Sequence, residues 1–147
     1  MKYCLIGEKL GHSYSSFIHN RMGVEYSLQA FPASDLPSFV ASCKFGGFNV
    51  TIPYKKAIIP YLDGISQEAK KIGAVNTVIN KNGKLLGYNT DYFGLTYALK
   101  KANIVIKNKN VIILGSGGAS LTAQTVCQDQ KAKSITVVSR TGQVNYN

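Results

Sequence analysis

Acidic residues are scarce in this chain: seven Asp and Glu stand against seventeen Lys and Arg in 147 residues, a formal charge of +10. Long apolar runs are missing too, because no stretch reaches the roughly eighteen apolar residues that a membrane-spanning helix needs. The opening MKYCLIGEKLGHSYSS has few apolar residues before Glu8 and Lys9, so it reads as a first strand and not as a secretory leader. Cysteine is sparse, and Cys4, Cys43 and Cys127 are odd in number, far apart and without metal-ligand spacing. That argues against a disulfide framework or a metal site and for reduced thiols in a cytoplasmic protein. Arginine is nearly absent, since fifteen of the seventeen basic residues are Lys, whereas base readout and stacking favour Arg. The basic excess is spread along the chain, with twelve basic against six acidic residues in 1–102 and five against one in 103–147. A solvated basic surface that attracts anionic small molecules is expected, rather than a nucleic-acid binder.

What is present is a steady alternation of short apolar runs with helix-like segments, and 45% apolar residues overall, ordinary for a globular protein. Strands are expected at Tyr3–Ile6, Tyr26–Phe31 and Phe48–Ile52. Helices are expected from Ser13–Ser16, from a Ser34-Asp35 cap to about Ser42, over Tyr54–Leu62, and from a Ser66 cap to Ile72. Ala74–Asn80 and Lys84–Asn89 flank Lys81-Asn82-Gly83, a β-hairpin signal with Asn-Gly at the turn. Asp91 to Ala102 reads as a helix whose Phe93, Tyr97 and Ala98 fall on one apolar face. A boundary is expected over Asn103–Asn110, dividing a domain 1–102 from a second, 103–147. The alternation predicts an α/β fold, with a mixed sheet in the first domain because of the hairpin.

The second segment reads strand (Val111–Leu114), glycine turn (Gly115–Gly118), helix (Ala119–Gln130) and strand (Ser134–Ser139). This is one βαβ unit of a Rossmann-like dinucleotide domain. Gly115 permits the tight turn, Gly117 lets the backbone approach a pyrophosphate, and the helix opening near Ala119 turns its N–H groups and positive dipole end towards that anion. Ser120 stands where the third glycine of the fingerprint is usual, so the motif gains its weight from lying between strand and helix. An NAD site places Asp or Glu at the end of the second strand. Val137-Val138-Ser139-Arg140-Thr141 has none, and the planar fork of Arg140 favours the 2′-phosphate of NADP.

Three polar strings in the first segment lie at expected strand ends. Gly11-His12-Ser13-Tyr14-Ser15-Ser16 offers hydroxyls that can cap a helix or hold a carboxylate. Asn49-Val50-Thr51-Ile52-Pro53-Tyr54-Lys55-Lys56 sets Lys55 at the mouth of a helix, unfavourable for the dipole, where burial would lower its pKa towards a proton-transfer value. Ala74-Val75-Asn76-Thr77 and Gly87-Tyr88-Asn89-Thr90-Asp91 lie on the two hairpin strands. Asp91 can cap its helix; with Asn76 it would also supply the donors and acceptor that suit a polyhydroxylated ligand.

The ordered strings GHSYS followed by HN, NVTIPYK, GAVNT, GYNTD and GSGGAS resemble shikimate dehydrogenases over nearly the whole chain. The resemblance implies an NADP-dependent reduction of 3-dehydroshikimate to shikimate on the route to chorismate and the aromatic amino acids. It implies that Ser13 and Ser15 bind the substrate carboxylate, and that Thr51, Asn76 and Asp91 hold ring hydroxyls. Lys55 and Asp91 would form the catalytic pair, with Lys55 handling the proton at the reacting oxygen. Gly115, Ser116, Gly117, Gly118 and Ala119 would form the pyrophosphate turn, and Ser139, Arg140 and Thr141 the 2′-phosphate site. Three positions depart from the family's pattern: Ser16 stands in place of proline, Leu121 in place of an arginine after the turn, and Ser139 in place of asparagine.

Only 33 residues run from Gly115 to Asn147, enough for one βαβ unit, whereas a full dinucleotide domain has about six strands. The chain is therefore expected to be a fragment of a longer enzyme, with little activity alone and an apolar sheet edge and face left open. A homodimer is a further expectation. The rival readings are a relative that also oxidises quinate and accepts NAD, a non-catalytic module binding a shikimate-like acid, and, prompted by charge alone, a nucleic-acid binder.

Overall fold

The protein is described by a computed structural model covering residues 2–42 and 44–140. It folds as two compact units, Met1–Asn89 and Thr90–Asn147. The first contains a six-stranded mixed sheet in the order β2-β1-β3-β5-β6-β4. Its strands are β1 (Tyr3–Gly7), β2 (Tyr26–Ala30), β3 (Gly47–Val50), β4 (Gly64–Ile65), β5 (Thr77–Lys81) and β6 (Lys84–Tyr88). β1 runs parallel to both β2 and β3, β5 is antiparallel to β3 and to β6, and β4 is parallel to β6.

Period-two alternation explains where the core sits. Cys4 and Ile6 on β1 join Phe48 and Val50 on β3 and Val78 on β5 in the main core, capped by Tyr54 and Ile58. The intervening Leu5 packs into a smaller cluster with Leu10 and Tyr26. The hairpin takes the expected form, with Asn82 and Gly83 both at positive φ (55° and 83°), as a type I′ turn requires. α4 (Gln67–Ile72) starts at its expected cap, the Ser66 hydroxyl accepting from the Ala69 N–H at 3.2 Å.

Other elements differ from expectation. The Tyr54–Leu62 helix is one α-turn, α3 (Tyr54–Ala57), followed by a 3₁₀ turn over Ile59–Tyr61; Pro60 has no N–H to continue an α-helix. α2 (Leu36–Ala41) is preceded by a 3₁₀ turn over Ala33–Asp35, with no side-chain cap bond; the Ser34 hydroxyl bonds the Asp35 carboxylate instead. The two-residue strand β4 carries no sequence signal, being too short to show a period. α1 (Ser15–Arg21) also lacks a side-chain cap bond.

The second unit holds α5 (Asp91–Lys101), α6 (Gly118–Asp129) and the parallel pair β7 (Asn110–Leu114) and β8 (Ser134–Val138). By packing, α5 goes with this unit: it lies against α6, and the Tyr92 hydroxyl bonds the Asp129 carboxylate at 2.8 Å. The apolar face expected of α5 is not buried. Phe93 and Tyr97 are both more than half exposed, and no residue of the helix is fully enclosed. The Asp91 cap is likewise replaced, since Thr90 occupies the cap position and Asp91 is the first helical residue. Among the described residues, no helix is long and apolar enough to cross a membrane.

Candidate active site

Strand directions gather the polar strings of the first unit at one end of the sheet, where its edge of strand termini faces outward from β1, β3 and β5. β1 and β3 are parallel, so the residues that follow them emerge on the same side, Ser13 and Ser15 after β1, Thr51 and Lys55 after β3. β5 runs the other way, so Asn76, just before its start, comes to that side as well; Asn49 pairs with Thr77. The edge is tied by backbone bonds. The Thr51 N–H donates to the Ile6 carbonyl at 3.0 Å, Val50 to Asn76 at 2.8 Å, and Asn76 to Tyr88 at 3.0 Å.

The β1 crossing is close. A Cβ on Gly7 would lie 2.7 Å from the side chains of both Leu10 and Thr51, so glycine lets Thr51 sit against the end of β1. Ser13 and Ser15 form a bonded pair, hydroxyl to hydroxyl at 3.1 Å, with the Ser13 oxygen also accepting from the Ser15 N–H. Both are half-buried at the opening of α1.

Lys55 is the second residue of α3 and half-buried. In a single-turn helix it stands near both ends, so the dipole argument for tuning its amine falls away. What positions it is packing. Tyr54 beside it is fully buried, its hydroxyl donating to the Phe31 carbonyl, and the Lys55 carbonyl accepts from the Val75 N–H at 2.7 Å. Burial first, then the negative charges of Glu8 and Asp35, raises the Tyr54 pKa, so this anchor stays neutral. Val75 precedes Asn76, so one short backbone bond couples the lysine turn to the amide of the neighbouring string. Asn76 is only 8% exposed. Asn89, buried on the far side of the hairpin, donates to the Ala74 carbonyl at 3.0 Å and fixes the chain two residues before Asp91.

Three groups at this edge carry no role in the sequence reading. The Tyr26 hydroxyl donates to Asn49 Oδ1 at 2.7 Å, and Asn49 Nδ2 donates to Thr77 Oγ1 at 3.1 Å. Asn49 and Thr77 stand inside recognised strings, but Tyr26 lies across the sheet from them; no spacing rule could have linked it.

In the second unit the parallel pairing of β7 with β8 brings Gly115 and Ser139-Arg140 to one end, with the Gly115 N–H donating to the Val138 carbonyl at 2.8 Å. Gly115 sits at φ 103°, where a side chain would be strained, and Gly117 is the extended cap of α6, whose first helical residue is Gly118 rather than Ala119. Nothing within 4 Å of a Cβ at Gly117 crowds it. A cavity of about 250 Å³ lies along the turn, lined by Leu114, Gly115, Gly117, Ala119 and Ser120 among others. Ser116 is exposed, Ser139 is buried and Arg140 is exposed; Thr141 lies outside the described residues. An open cavity, the first amides of a helix and an arginine at the end of the neighbouring strand fit a dinucleotide phosphate. Among the described residues no group of three or more His, Cys, Asp or Glu could hold a metal.

Comparison with known proteins gives a consistent answer. Residues 5–78 match the family described as the shikimate dehydrogenase substrate binding domain. A curated shikimate dehydrogenase (NADP(+)) of Clostridium perfringens is 45% identical, covering 92% of this chain and 54% of its own length. Shikimate dehydrogenase 1 of Peptoclostridium difficile, a solved structure, is 42% identical with a TM-score of 0.88, covering 97% of this chain and 57% of that one. A Thermus thermophilus shikimate 5-dehydrogenase solved with NADP(H) and shikimate is 34% identical with a TM-score of 0.84 over 97% of this chain and 57% of its own. The chain thus spans about half the length of the curated relatives that it matches. With a matched family domain, this identity and this fold in agreement, the chain belongs to the shikimate dehydrogenase family.

Proposed function

We propose that the protein carrying this chain catalyses the reversible, NADP-dependent reduction of 3-dehydroshikimate to shikimate, with residues 1–102 serving the substrate and 103–147 opening the coenzyme domain. The supporting observation is the one end of the sheet that gathers Ser13 and Ser15 after β1, Thr51 and Lys55 after β3, and Asn76 before β5. Ser13 and Ser15 offer two hydroxyls and the start of a helix to the carboxylate. Thr51 and Asn76 offer hydrogen bonds to ring hydroxyls, which orient the ring and hold the reacting carbon in place. When bound, the coenzyme supplies the hydride. As that hydride arrives, the carbonyl oxygen gains negative charge, and the Lys55 ammonium gives it a proton; in the reverse direction the neutral amine takes the hydroxyl proton. Asp91 is assigned the acidic role in this pair and a hydrogen bond to a ring hydroxyl.

The amides of Ser116, Gly117, Gly118 and Ala119 are assigned to the pyrophosphate, with Gly115 making the turn that presents them, and Ser139, Arg140 and Thr141 are assigned to the 2′-phosphate. Ser139 and Leu121, where the family favours asparagine and arginine, leave Arg140 as the main cationic group here. A cytoplasmic location goes with this chemistry, and the buried thiols of Cys4 and Cys127 suit a reducing compartment. The test is reduced-nicotinamide absorbance with shikimate and NADP in the longer parent protein, set against quinate and NAD, together with calorimetric titration of the 147-residue chain with shikimate. Binding and NADP-linked turnover are expected. Tight binding with no turnover in any longer form would make it a binding module, and equal rates with quinate and NAD would make it the broader dehydrogenase.

A further inference from the structure

Asn89, the last residue of the first unit, has no assigned part in the chemistry, yet it grips the peptide that holds Lys55. Its side chain is enclosed, at 2% exposure, and a buried amide is costly unless it is hydrogen-bonded. Asn89 Nδ2 donates to the Ala74 carbonyl at 3.0 Å. A carbonyl can only accept, so the nitrogen end of the Asn89 amide must face it. The next N–H along the chain, that of Val75, donates to the Lys55 carbonyl at 2.7 Å.

These two bonds meet in one object. The Ala74 C=O and the Val75 N–H belong to a single planar trans peptide group, from which they point in opposite directions. Rotating that plane would weaken both bonds together, so Asn89 sets the plane from one side and the plane sets the Lys55 carbonyl from the other. Each bond also polarises the next, because a peptide that accepts at its oxygen donates better from its nitrogen. Ala74 and Val75 are 1% and 0% exposed, which leaves water no ready access to replace Asn89. The lysine turn needs such a tie from outside. α3 is a single turn, Tyr54–Ala57, far too short to hold its shape alone. Its opening is fixed at Tyr54, whose N–H donates to the Thr51 carbonyl at 2.9 Å and whose hydroxyl donates to the Phe31 carbonyl. The Val75 bond acts one residue later, on Lys55 itself.

We propose that Asn89 is a positioning residue for Lys55, acting through the Ala74–Val75 peptide to fix the backbone from which the lysine side chain extends. The claim rests on the reading of Lys55 as the group that exchanges a proton with the substrate. It also accounts for the residue type. Aspartate has the shape of asparagine but no hydrogen to give a carbonyl at neutral pH, and leucine has the bulk but no polar atom. Either would leave the peptide plane unheld on its Asn89 side.

The test reads the tie and its effect on turnover separately. In the 147-residue chain, followed by NMR without ligand, Asn89→Leu should move the Val75 amide proton upfield and weaken the coupling across its bond to the Lys55 carbonyl carbon. In the longer protein proposed to carry this chain, Asn89→Leu should lower kcat about tenfold and change KM for shikimate less than about twofold. Combined with Lys55→Ala it should cost little beyond Lys55→Ala alone, because both act on one group. An unchanged kcat, a loss confined to KM, or fully multiplicative losses in the double variant overturns the proposal. A Val75 amide that does not move does so too. Should Asn89→Leu fail to fold, Asn89→Ser, smaller and too short to reach the Ala74 carbonyl, is read by the same measurements and held to the same outcomes. Full turnover in Lys55→Ala would count against the Lys55 reading instead, with the Val75 resonance still deciding the tie.

Discussion

The two units of this chain bury their apolar residues very differently. The first encloses a six-stranded sheet: Ile6, Phe48, Val50, Tyr54, Ile58 and Val78 are all nearly inaccessible, and the strands flanking the candidate site are cross-tied by backbone bonds. The second has a two-stranded parallel sheet with α6 against it, and Ile112 and Leu114 on β7 remain 68% and 78% exposed. Parallel strands are ordinarily covered on both faces, so one layer of helix leaves half the hydrophobic gain unrealised. The contrast suits the work assigned to each. Holding a polyhydroxylated ring needs a rigid edge with several fixed donors, whereas holding a phosphate needs one glycine turn and a cation.

The largest effect expected from breaking this contrast comes from truncating its two kinds of isoleucine. Ile58→Ala, at a fully buried position, should cost about 2–5 kcal/mol. Ile112→Ala, on the open face, should change stability by less than about 0.5 kcal/mol. Urea unfolding read by amide exchange in each unit separates them, and β7 and β8 should exchange faster than β1 and β3. An equal cost at both positions would mean that the open face is covered in solution.

The division of labour is sharpened next by Lys55→Ala in the longer protein proposed to carry this chain. Turnover should fall about a hundredfold or more, with a modest change in KM. An unaltered kcat would remove Lys55 from the proton transfer. Smaller still, Arg140→Ala should raise the Kd for NADP about tenfold and leave NAD binding nearly unchanged. A matching loss with NAD would place the guanidinium away from the 2′-phosphate.

The weakest effect is a pH dependence confined to the first unit. Burial, and secondarily Cys4, raises the Tyr26 pKa well above its ordinary value of 10.0; Tyr54 is raised as well. The unfolded chain gives up these protons first. The stability they contribute is therefore complete below about pH 10 and declines as pH rises beyond it, by at most about 1.4 kcal/mol per pH unit for each tyrosine. Tyr26→Phe should flatten that decline, and a slope that does not change would show that Tyr26 ionises freely when folded.

Much of this architecture was readable in advance because its signals are local. Asn82-Gly83 declares a turn through its positive φ, Ser66 declares a helix start through its hydroxyl, and Gly115 declares a strand-to-helix bend. The six ordered strings supplied the family resemblance. Failures occurred where local pattern and packing part company. Phe93 and Tyr97 have helical spacing yet lie exposed, because periodicity says that a face exists and not that anything covers it. Pro60 cuts short a helix that the apolar residues around it would otherwise extend.

The amino-acid order by itself determined the element types, the glycine turn and the list of polar residues standing at strand ends, since each depends on neighbours within a few positions. Only the tertiary structure decided which of those residues share an edge, because that depends on strand direction: β1 and β3 run parallel and β5 against them. The same holds for Tyr26. A hydroxyl and the amide that it bonds, 23 residues apart, meet only once β2, β1 and β3 lie side by side.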